Sequence, residues 1–413
     1  MVDSLGCKLN QAEAELLARQ FAEIGCHLVS SPAEADIYIL NTCTVTHVAD
    51  RKSRHLLRLA HRRRPDALLV ATGCYAQRAP DELAQLDGVS LVVGNQDKPN
   101  LRRVLAESGY LSSPVVNGEG GSFARTRTRA LVKMQDGCTA GCAYCIVPLV
   151  RGGERSRSAD GIVAEISKRT AEGYREVVLT GVKISSYLNN GVDLKGLLER
   201  ILSETGIERL RLSSLQPPDI RPELISLWDD PRLCPHFHLC LQSGSDRVLR
   251  RMKRRYVTAD FERAVSLVRN CLPEVALTTD VMVGFPGETE ADFEDSYQFC
   301  LRMGFSRIHV FSYSRRGGTE AAELPGQVSD RIKHERSRRM LKLAEESARN
   351  FNQRFLGQVV SVLFEQRVRG VWSGLSANYI KVYTRSSEDL GNKLVPVKLV
   401  EISEDGVDGE TAK

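Results

Sequence analysis

Short apolar runs alternate with helix-length amphipathic stretches through the first hundred residues, the pattern of a parallel sheet covered by helices. Residues 37–40, 68–71 and 90–93 are predicted strands, with 1–5 as a first strand so short that it is either an edge stub or lacks a few preceding residues. Across 109–128 the periodicity lapses into Gly, Ser, Asn and Pro, as a linker does. Strand signals then return at 131–134, 177–179, 210–212, 237–241, 277–283 and 308–311, each separated by a helical stretch. Six such repeats predict an incomplete TIM-like (β/α)6 barrel, a sheet that has not closed. A charged helical stretch over 330–354 leads to β-rich runs at 359–364, 379–383 and 393–400, which fit a small β-barrel or OB-like module of about 60 residues. The predicted organisation is an N-terminal parallel α/β domain over 1–108, a linker over 109–128, the α/β barrel over 129–353 and the β-module over 354–413.

A chain of 413 residues is longer than one hydrophobic core ordinarily fills, which agrees with that division. Lys and Arg number 57 against 52 Asp and Glu, and a net charge of +5 is too small to imply a nucleic-acid partner by itself. The local distribution is more telling. Residues 51–64 hold Arg51, Lys52, Arg54, Arg58, Arg62, Arg63 and Arg64 with no acid among them, on a predicted helix. A solvated helix face and a phosphate-binding surface both fit such a run. The segment Met1-Val2-Asp3-Ser4-Leu5 has no basic region followed by an apolar core, so no secretory signal is expected. Nor is there a run of about 18 uninterrupted apolar residues to span a membrane. A cytoplasmic protein is the expectation.

Eleven cysteines are too sparse for a disulfide scaffold in a chain of this length, yet three of them are tightly grouped. Gly137-Cys138-Thr139-Ala140-Gly141-Cys142-Ala143-Tyr144-Cys145 has C-x3-C-x2-C spacing just after a predicted strand. Three thiolates on a [4Fe–4S] cluster leave one iron open to an exogenous ligand. That iron can chelate S-adenosylmethionine (SAM) and reduce its sulfonium, yielding a 5′-deoxyadenosyl radical. A zinc knuckle is the competing reading, but structural zinc takes four N or S ligands and no fourth Cys or His lies close by. Position also favours the radical reading, because barrels of this type keep their active sites at the carboxyl ends of the strands.

Cys7, Cys43 and Cys74 each come at or just after the end of a predicted strand, about one β-loop-α repeat apart. Parallel strands end on one edge, so three such loops can bring three thiols together. From spacing alone, a second cluster and ordinary small residues in βα turns are equally good readings. Cys26, Cys234, Cys240, Cys271 and Cys300 sit in apolar surroundings and read as core residues. His236 and His238 alternate onto one strand face near Asp280, and hydrogen-bonded barrel histidines are the preferred reading over a metal site. The turn Gly284-Phe285-Pro286-Gly287-Glu288 follows a strand and precedes a helix, where backbone amides can approach a ligand.

Residues 137–157, with Pro148, Arg151-Gly152 and Arg155-Ser156-Arg157, together with Gln242-Ser243-Gly244-Ser245, residues 251–256 and residues 284–289, resemble the motifs of radical-SAM methylthiotransferases. The resemblance extends over essentially the whole chain, in the family order of N-terminal domain, radical-SAM barrel and TRAM domain. It implies an enzyme with SAM and two [4Fe–4S] clusters, the auxiliary one bound by Cys7, Cys43 and Cys74. It also implies SAM contacts near Thr180, Gly181, Gln242 and Arg254, although Lys183 stands where an uncharged or acidic residue is expected. One SAM would methylate sulfur on the auxiliary cluster, and a second would generate the radical that activates C2 of an adenine. Substrate tRNA would be held by Arg58, Arg62 and Arg63 and by the TRAM-like module, where Lys381 is the candidate contact, beside Arg385, Lys393 and Lys398. A reducing electron donor and a sulfur donor of unspecified identity are further implied partners.

Three substrates compete within that family: isopentenyl-adenosine in tRNA, threonylcarbamoyl-adenosine in tRNA, and an aspartate of a ribosomal protein. Gln242-Ser243-Gly244-Ser245 looks like the tRNA branches, and Arg155-Ser156-Arg157 with Leu179-Thr180-Gly181-Val182 looks like the threonylcarbamoyl branch, the MtaB type. The expected target is the adenosine 3′ of the anticodon. A radical-SAM methyltransferase is another enzyme reading, and a non-catalytic iron–sulfur RNA-binding regulator is the alternative from a different class.

Overall fold

The computed structural model describes residues 1–111 and 127–412, so residues 112–126 of the expected linker lie outside the described residues. The chain forms two compact units. One comprises Met1–Thr126, Asp136–Arg155 and Ser314–Ala322, and the other Arg127–Gln135, Ser156–Tyr313 and Glu323–Lys413. Contacts rather than chain order therefore set the first unit, which takes in the loop of Cys138, Cys142 and Cys145.

In the first unit, β1 (Val2–Ser4), β2 (Ile37–Thr42), β3 (Leu68–Gly73) and β4 (Val89–Val93) form one sheet in sequential order. Every pairing is parallel. Apolar residues run nearly without interruption through β2 and β3 because helices cover both faces, and all but the first residue of each is buried. The three-residue β1 is an edge strand. Its register places Ser4 opposite Asn41, while Thr42 lies opposite Gly73. The carboxyl ends of β1, β2 and β3 are thereby level, and the loops carrying Cys7, Cys43 and Cys74 leave from one edge.

The second unit contains six parallel strands where six are predicted: β5 (Arg129–Lys133), β6 (Glu176–Thr180), β7 (Arg209–Leu212), β8 (His236–Leu239), β9 (Ala276–Val283) and β10 (Arg307–Ser312). β6 lies between β5 and β7, and β9 between β8 and β10. Ser214–Leu215 continues β7 past Ser213 and pairs with β8, so the six follow one another in an open, TIM-like sheet. Its core joins strand residues such as Val177, Leu210, Phe237 and Leu277 to the buried faces of the surrounding helices, for example Ile162 and Ile166 at i, i+4.

The C-terminal module is a closed barrel of β11 (Val359–Val368), β12 (Val371–Ser376), β13 (Lys381–Arg385), β14 (Leu394–Ile402) and β15 (Val407–Thr411). β12 and β15 go beyond the three predicted β-runs, and Tyr379, placed in a strand by pattern, is instead a turn residue at φ 69°. The module attaches where β5, β6 and β7 begin. Arg209 donates to the Leu375 and Ser361 carbonyls, Arg211 to the Ala377 carbonyl at 2.9 Å, and Arg129 to Glu365 at 2.8 Å. Fully buried Glu176 accepts from Arg211 Nε at 2.8 Å, and that guanidinium outweighs burial in holding the Glu176 carboxyl below its usual range. The C-terminal barrel is thus fixed to the end of the sheet opposite the one where such barrels keep their active sites.

Candidate functional site

The three loops at the edge of the N-terminal sheet place their cysteines in related positions. Cys7 is the N-cap of helix α1 (Lys8–Ala22), and Cys74 opens helix α3 (Cys74–Arg78) directly after the left-handed Gly73. Cys43 lies three residues ahead of Thr46, which caps helix α2 (His47–Arg63) through Ala49 N. Two glycines make room. A Cβ on Gly6 would stand 2.7 Å from Cys43 Sγ, and one on Gly73 would stand 2.4 Å from Asn41 Oδ1, at φ of 99° and 98° that L side chains rarely adopt. Burial pushes the Cys43 thiol up to about 12; the Val45 backbone amide offsets part of this, and the nearby Cys7 and Cys74 add to it. The three thiols lie within one another's electrostatic reach, and all are free. Such a donor set fits an iron–sulfur cluster, because metal binding replaces the protons of crowded thiols with a cation.

Cys138, Cys142 and Cys145 are half-buried in a compact loop of the same unit. Cys138 N donates to the Gly152 carbonyl at 3.1 Å, Cys145 N to the Cys142 carbonyl at 3.0 Å, and Ala140 N to Cys138 Sγ at 3.4 Å. Three cysteines outside any disulfide at this spacing fit a cluster with one unligated iron. Val150 of the helix that follows, Val147–Arg151, and its N-cap Ile146 pack against Cys74.

A buried polar network joins the two triads. Arg151 donates to Glu13, to Asn10 Oδ1 at 2.6 Å and to Asp136 Oδ1 at 2.8 Å. Asn10 Nδ2 donates to the Leu5 and Thr42 carbonyls, so it bridges the loops of Cys7 and Cys43. Lys98 reaches Glu13 and Asn95, and Asn95 Nδ2 donates to the Val150 carbonyl at 2.7 Å and lies 3.6 Å from Cys74 Sγ. Sequence reasoning missed Glu13, Lys98 and Asn95 entirely. A signal existed: Glu13 shares a helical face with Leu9 and Leu17, and all three are buried.

The expected SAM contacts belong to the second unit. Thr180 ends β6, fully buried, and its carbonyl accepts from Met134 N at 2.9 Å. Gly181 follows it, closely packed on Gln135, whose Oε1 accepts from the Val182 and Lys183 amides. Gln242, at φ 68°, bridges to β9 through its own N–H on the Asp280 carbonyl and its carbonyl on Met282 N. Arg254 Nε donates to Tyr256 Oη at 3.0 Å, and Tyr256 Oη donates to the Leu241 carbonyl just before Gln242. The glycine turn after β9 is braced internally, since Glu288 accepts from Gly284 N and from Arg336.

His238 Nε2 lies 3.2 Å from Asp280 Oδ2 and Nδ1 lies 2.9 Å from Thr278 Oγ1, while His236 stacks on Tyr379. Of the five cysteines expected in cores, Cys234 and Cys300 are buried, Cys26 and Cys240 are half-buried, and Cys271 is exposed. Cys271 sits at the end of its helix, where the apolar face no longer covers it.

Helix α2 buries Asp50, Ser53, Leu57 and Ala60 and turns Arg58, Arg62 and Arg63 to solvent. Arg54 and Arg64 are paired with Glu82 and Asp36, whereas Arg58, Arg62 and Arg63 make no ion pair among the described residues. Lys381 differs, because its Nζ is held by Asp405 at 2.6 Å. No helix among the described residues is long and apolar enough to cross a membrane.

An open six-strand parallel barrel with a C-x3-C-x2-C loop after its first strand defines a radical-SAM protein, and residues 132–300 match the Radical SAM superfamily. Residues 1–94 match the Uncharacterized protein family UPF0004. Threonylcarbamoyladenosine tRNA methylthiotransferase MtaB of Aquifex aeolicus (strain VF5) is 38% identical over 410 residues, spanning 96% of this chain and 98% of that protein. The MtaB of Bacillus subtilis (strain 168) is 36% identical over 420 residues, spanning 96% and 92%. The tRNA-2-methylthio-N(6)-dimethylallyladenosine synthase of Caldicellulosiruptor saccharolyticus is 35% identical over 426 residues, spanning 98% and 90%. The chain belongs to the radical-SAM methylthiotransferases. In fold it is similar to the radical S-adenosylmethionine methyltransferase TsrM from Kitasatospora setae, with a TM-score of 0.54 at 18% identity over 70% of this chain and 67% of that one.

Proposed function

We propose that the protein is a tRNA methylthiotransferase that places a methylthio group on C2 of N6-threonylcarbamoyladenosine, the adenosine 3′ of the anticodon. The observation that supports this reading is that the loops of Cys7, Cys43 and Cys74 leave one sheet edge, in the same compact unit as Cys138, Cys142 and Cys145. Cys138, Cys142 and Cys145 would hold the [4Fe–4S] cluster that takes SAM, and Cys7, Cys43 and Cys74 the auxiliary [4Fe–4S] cluster from which sulfur is delivered. When bound, these groups supply a radical able to activate an aromatic C–H bond that no acid or base reaches at neutral pH, and the sulfur that replaces the hydrogen.

The chain's own residues bind and orient. Thr180, Gly181, Gln242 and Arg254 would line the SAM site, with Thr180 and Gly181 at the end of β6, Gln242 bridged to β9 and Arg254 in the loop after the helix Asp246–Arg251. Arg58, Arg62 and Arg63 would meet tRNA phosphates, and the β-module, with Lys381 in its Asp405 pair, would add a second RNA surface. In this reading 1–108 supplies sulfur, 129–353 places SAM, and 354–413 holds tRNA. A low-potential electron donor and a sulfur source complete the reaction, in the cytoplasm.

The choice of threonylcarbamoyl-adenosine is supported by the names of the MtaB relatives, while the dimethylallyl-adenosine relatives define the competing substrate. Mass spectrometry of nucleosides from tRNA incubated with reconstituted enzyme, SAM and dithionite separates them. The expected product is the 2-methylthio derivative of N6-threonylcarbamoyladenosine. Modification of isopentenyl-adenosine alone would overturn the substrate choice, and modification of a ribosomal protein with no tRNA product would overturn the reading.

A further inference from the structure

A cavity of about 480 Å³ opens in the first unit beside the start of α2, lined by Arg51, Arg54, Arg78 and Arg316 together with Asp50 and Glu82. Four guanidiniums face two carboxylates. Asp50 is shared between Arg316 at 2.9 Å and Arg78 at 3.1 Å, and Glu82 between Arg54 at 2.8 Å and Arg78 at 3.8 Å. The two acids cannot neutralise all four cations, so the cavity keeps an excess positive charge. Arg316 is 3% exposed, and its buried Nε has no hydrogen-bond partner among the described residues. A buried donor without a partner is costly.

The cavity is also wired to the candidate sulfur-delivering loop. Thr44, the residue after Cys43, donates to Asp50 Oδ1 at 2.6 Å; its hydroxyl accepts from Arg78 Nε at 2.7 Å, and its carbonyl accepts from Arg316 Nη1 at 3.1 Å. Whatever occupies the cavity therefore lies against the loop that positions Cys43.

We infer that this cavity takes an oxyanion of the substrate, and that the oxyanion is the carboxylate of the threonylcarbamoyl group. The inference rests on the proposed function. Adenine C2 has to come to the sulfur held near Cys43, and the N6 substituent extends from the same ring. A planar guanidinium set matches a carboxylate and would leave a hydrocarbon substituent facing unpaired charge. The cavity would then select the acidic N6 substituent against the apolar one. A backbone phosphate offers the same chemistry from a different source, and the test is built to tell the two apart.

The experiment compares affinities of the full chain, both clusters reconstituted, for an anticodon stem-loop bearing N6-threonylcarbamoyladenosine and for the same stem-loop with that carboxylate as its methyl ester. The acid should bind at least tenfold more tightly. Arg316→Gln should bring the ratio toward one with affinity for the ester unchanged, and the surface pair Arg51→Gln and Arg54→Gln should lower it even if the buried variant folds poorly. Equal wild-type affinity for acid and ester would overturn the inference while leaving turnover of the threonylcarbamoyl tRNA, and hence the functional reading, intact. Variants that weaken acid and ester equally would assign the cavity to a backbone phosphate and overturn the carboxylate. Absence of turnover on threonylcarbamoyl tRNA, with the acid still preferred in binding, would instead count against the functional reading alone.

Discussion

Arg151 and Glu13 meet in a buried two-point ion pair, Nη1 to Oε1 and Nη2 to Oε2, both at 3.0 Å, across 138 residues of chain. Their side chains are 2% and 6% exposed. Arg151 also touches Asp136, which precedes the Cys138 loop, and Asn10, which braces the Cys7 and Cys43 loops. Removing Glu13 leaves Arg151 with Asp136 but takes away the ion-pair partner of buried Lys98, and an uncompensated buried charge costs about 3–5 kcal/mol. Glu13→Ala should therefore lower the stability of the protein and, because the network serves both triads, reduce iron retention at both. Denaturant unfolding and iron-to-protein ratios measure the two effects. A variant with unchanged stability and full iron would show that the pair does not support either cluster loop.

His238 should be an imidazolium at neutral pH. Burial lowers its pKa, but the hydrogen bond to Asp280 and the neighbouring Cys240 outweigh burial and raise it to about 10. A pKa raised in the folded state stabilises most below the unfolded value of about 6.5, and that contribution is lost as pH rises through the folded value. Between pH 7 and pH 10 the wild type should lose on the order of a few kcal/mol that His238→Gln does not lose. Parallel losses in both proteins would show that His238 is not charged in the fold.

Charge reversal at Arg58, Arg62 and Arg63 should weaken tRNA binding and flatten its salt dependence by about 0.7–0.9 per phosphate contact removed. All three are exposed on one side of α2, opposite the buried Leu57 and Ala60. An unchanged salt slope would make this helix an ordinary solvated face.

Anaerobic reconstitution should give about eight irons per chain, and changing Cys138, Cys142 and Cys145 together to Ala should leave about half of them. Full iron retention in that variant would remove these thiols from the ligand set.

Strand positions were readable because parallel strands buried on both faces favour continuous apolar runs, as in β2, β3 and β6, while β7 and β8 show only the alternation of Arg-Leu-Arg-Leu and His-Phe-His-Leu. The shared sheet edge of Cys7, Cys43 and Cys74 was readable from their one-repeat spacing, while spacing alone left a ligand role and a βα-turn role equally open. β12 and β15 were not. Val371–Ser376 carries Ser373 and Gly374, Val407–Thr411 carries Asp408 and Gly409, and closure of the barrel rather than local propensity makes them strands. The capture of Asp136–Arg155 and Ser314–Ala322 by the first unit was hidden because it depends on tertiary pairs such as Arg316 with Asp50, 266 residues apart. Local periodicity holds no record of which distant acid will meet a given arginine.

Division of labour between the two cysteine triads is tested most directly by replacing Cys7, Cys43 and Cys74 together with Ala and measuring two products from one anaerobic reaction with SAM, dithionite and tRNA. The register of β1, β2 and β3 places these thiols at one edge of the N-terminal sheet, outside the Cys138 loop. Formation of 5′-deoxyadenosine should persist, since Cys138, Cys142 and Cys145 remain, and the methylthio nucleoside should disappear with the thiolates that hold the sulfur-bearing cluster. Methylthiolation at the wild-type level in this variant would contradict the assignment and return the three cysteines to the role of small residues in βα turns.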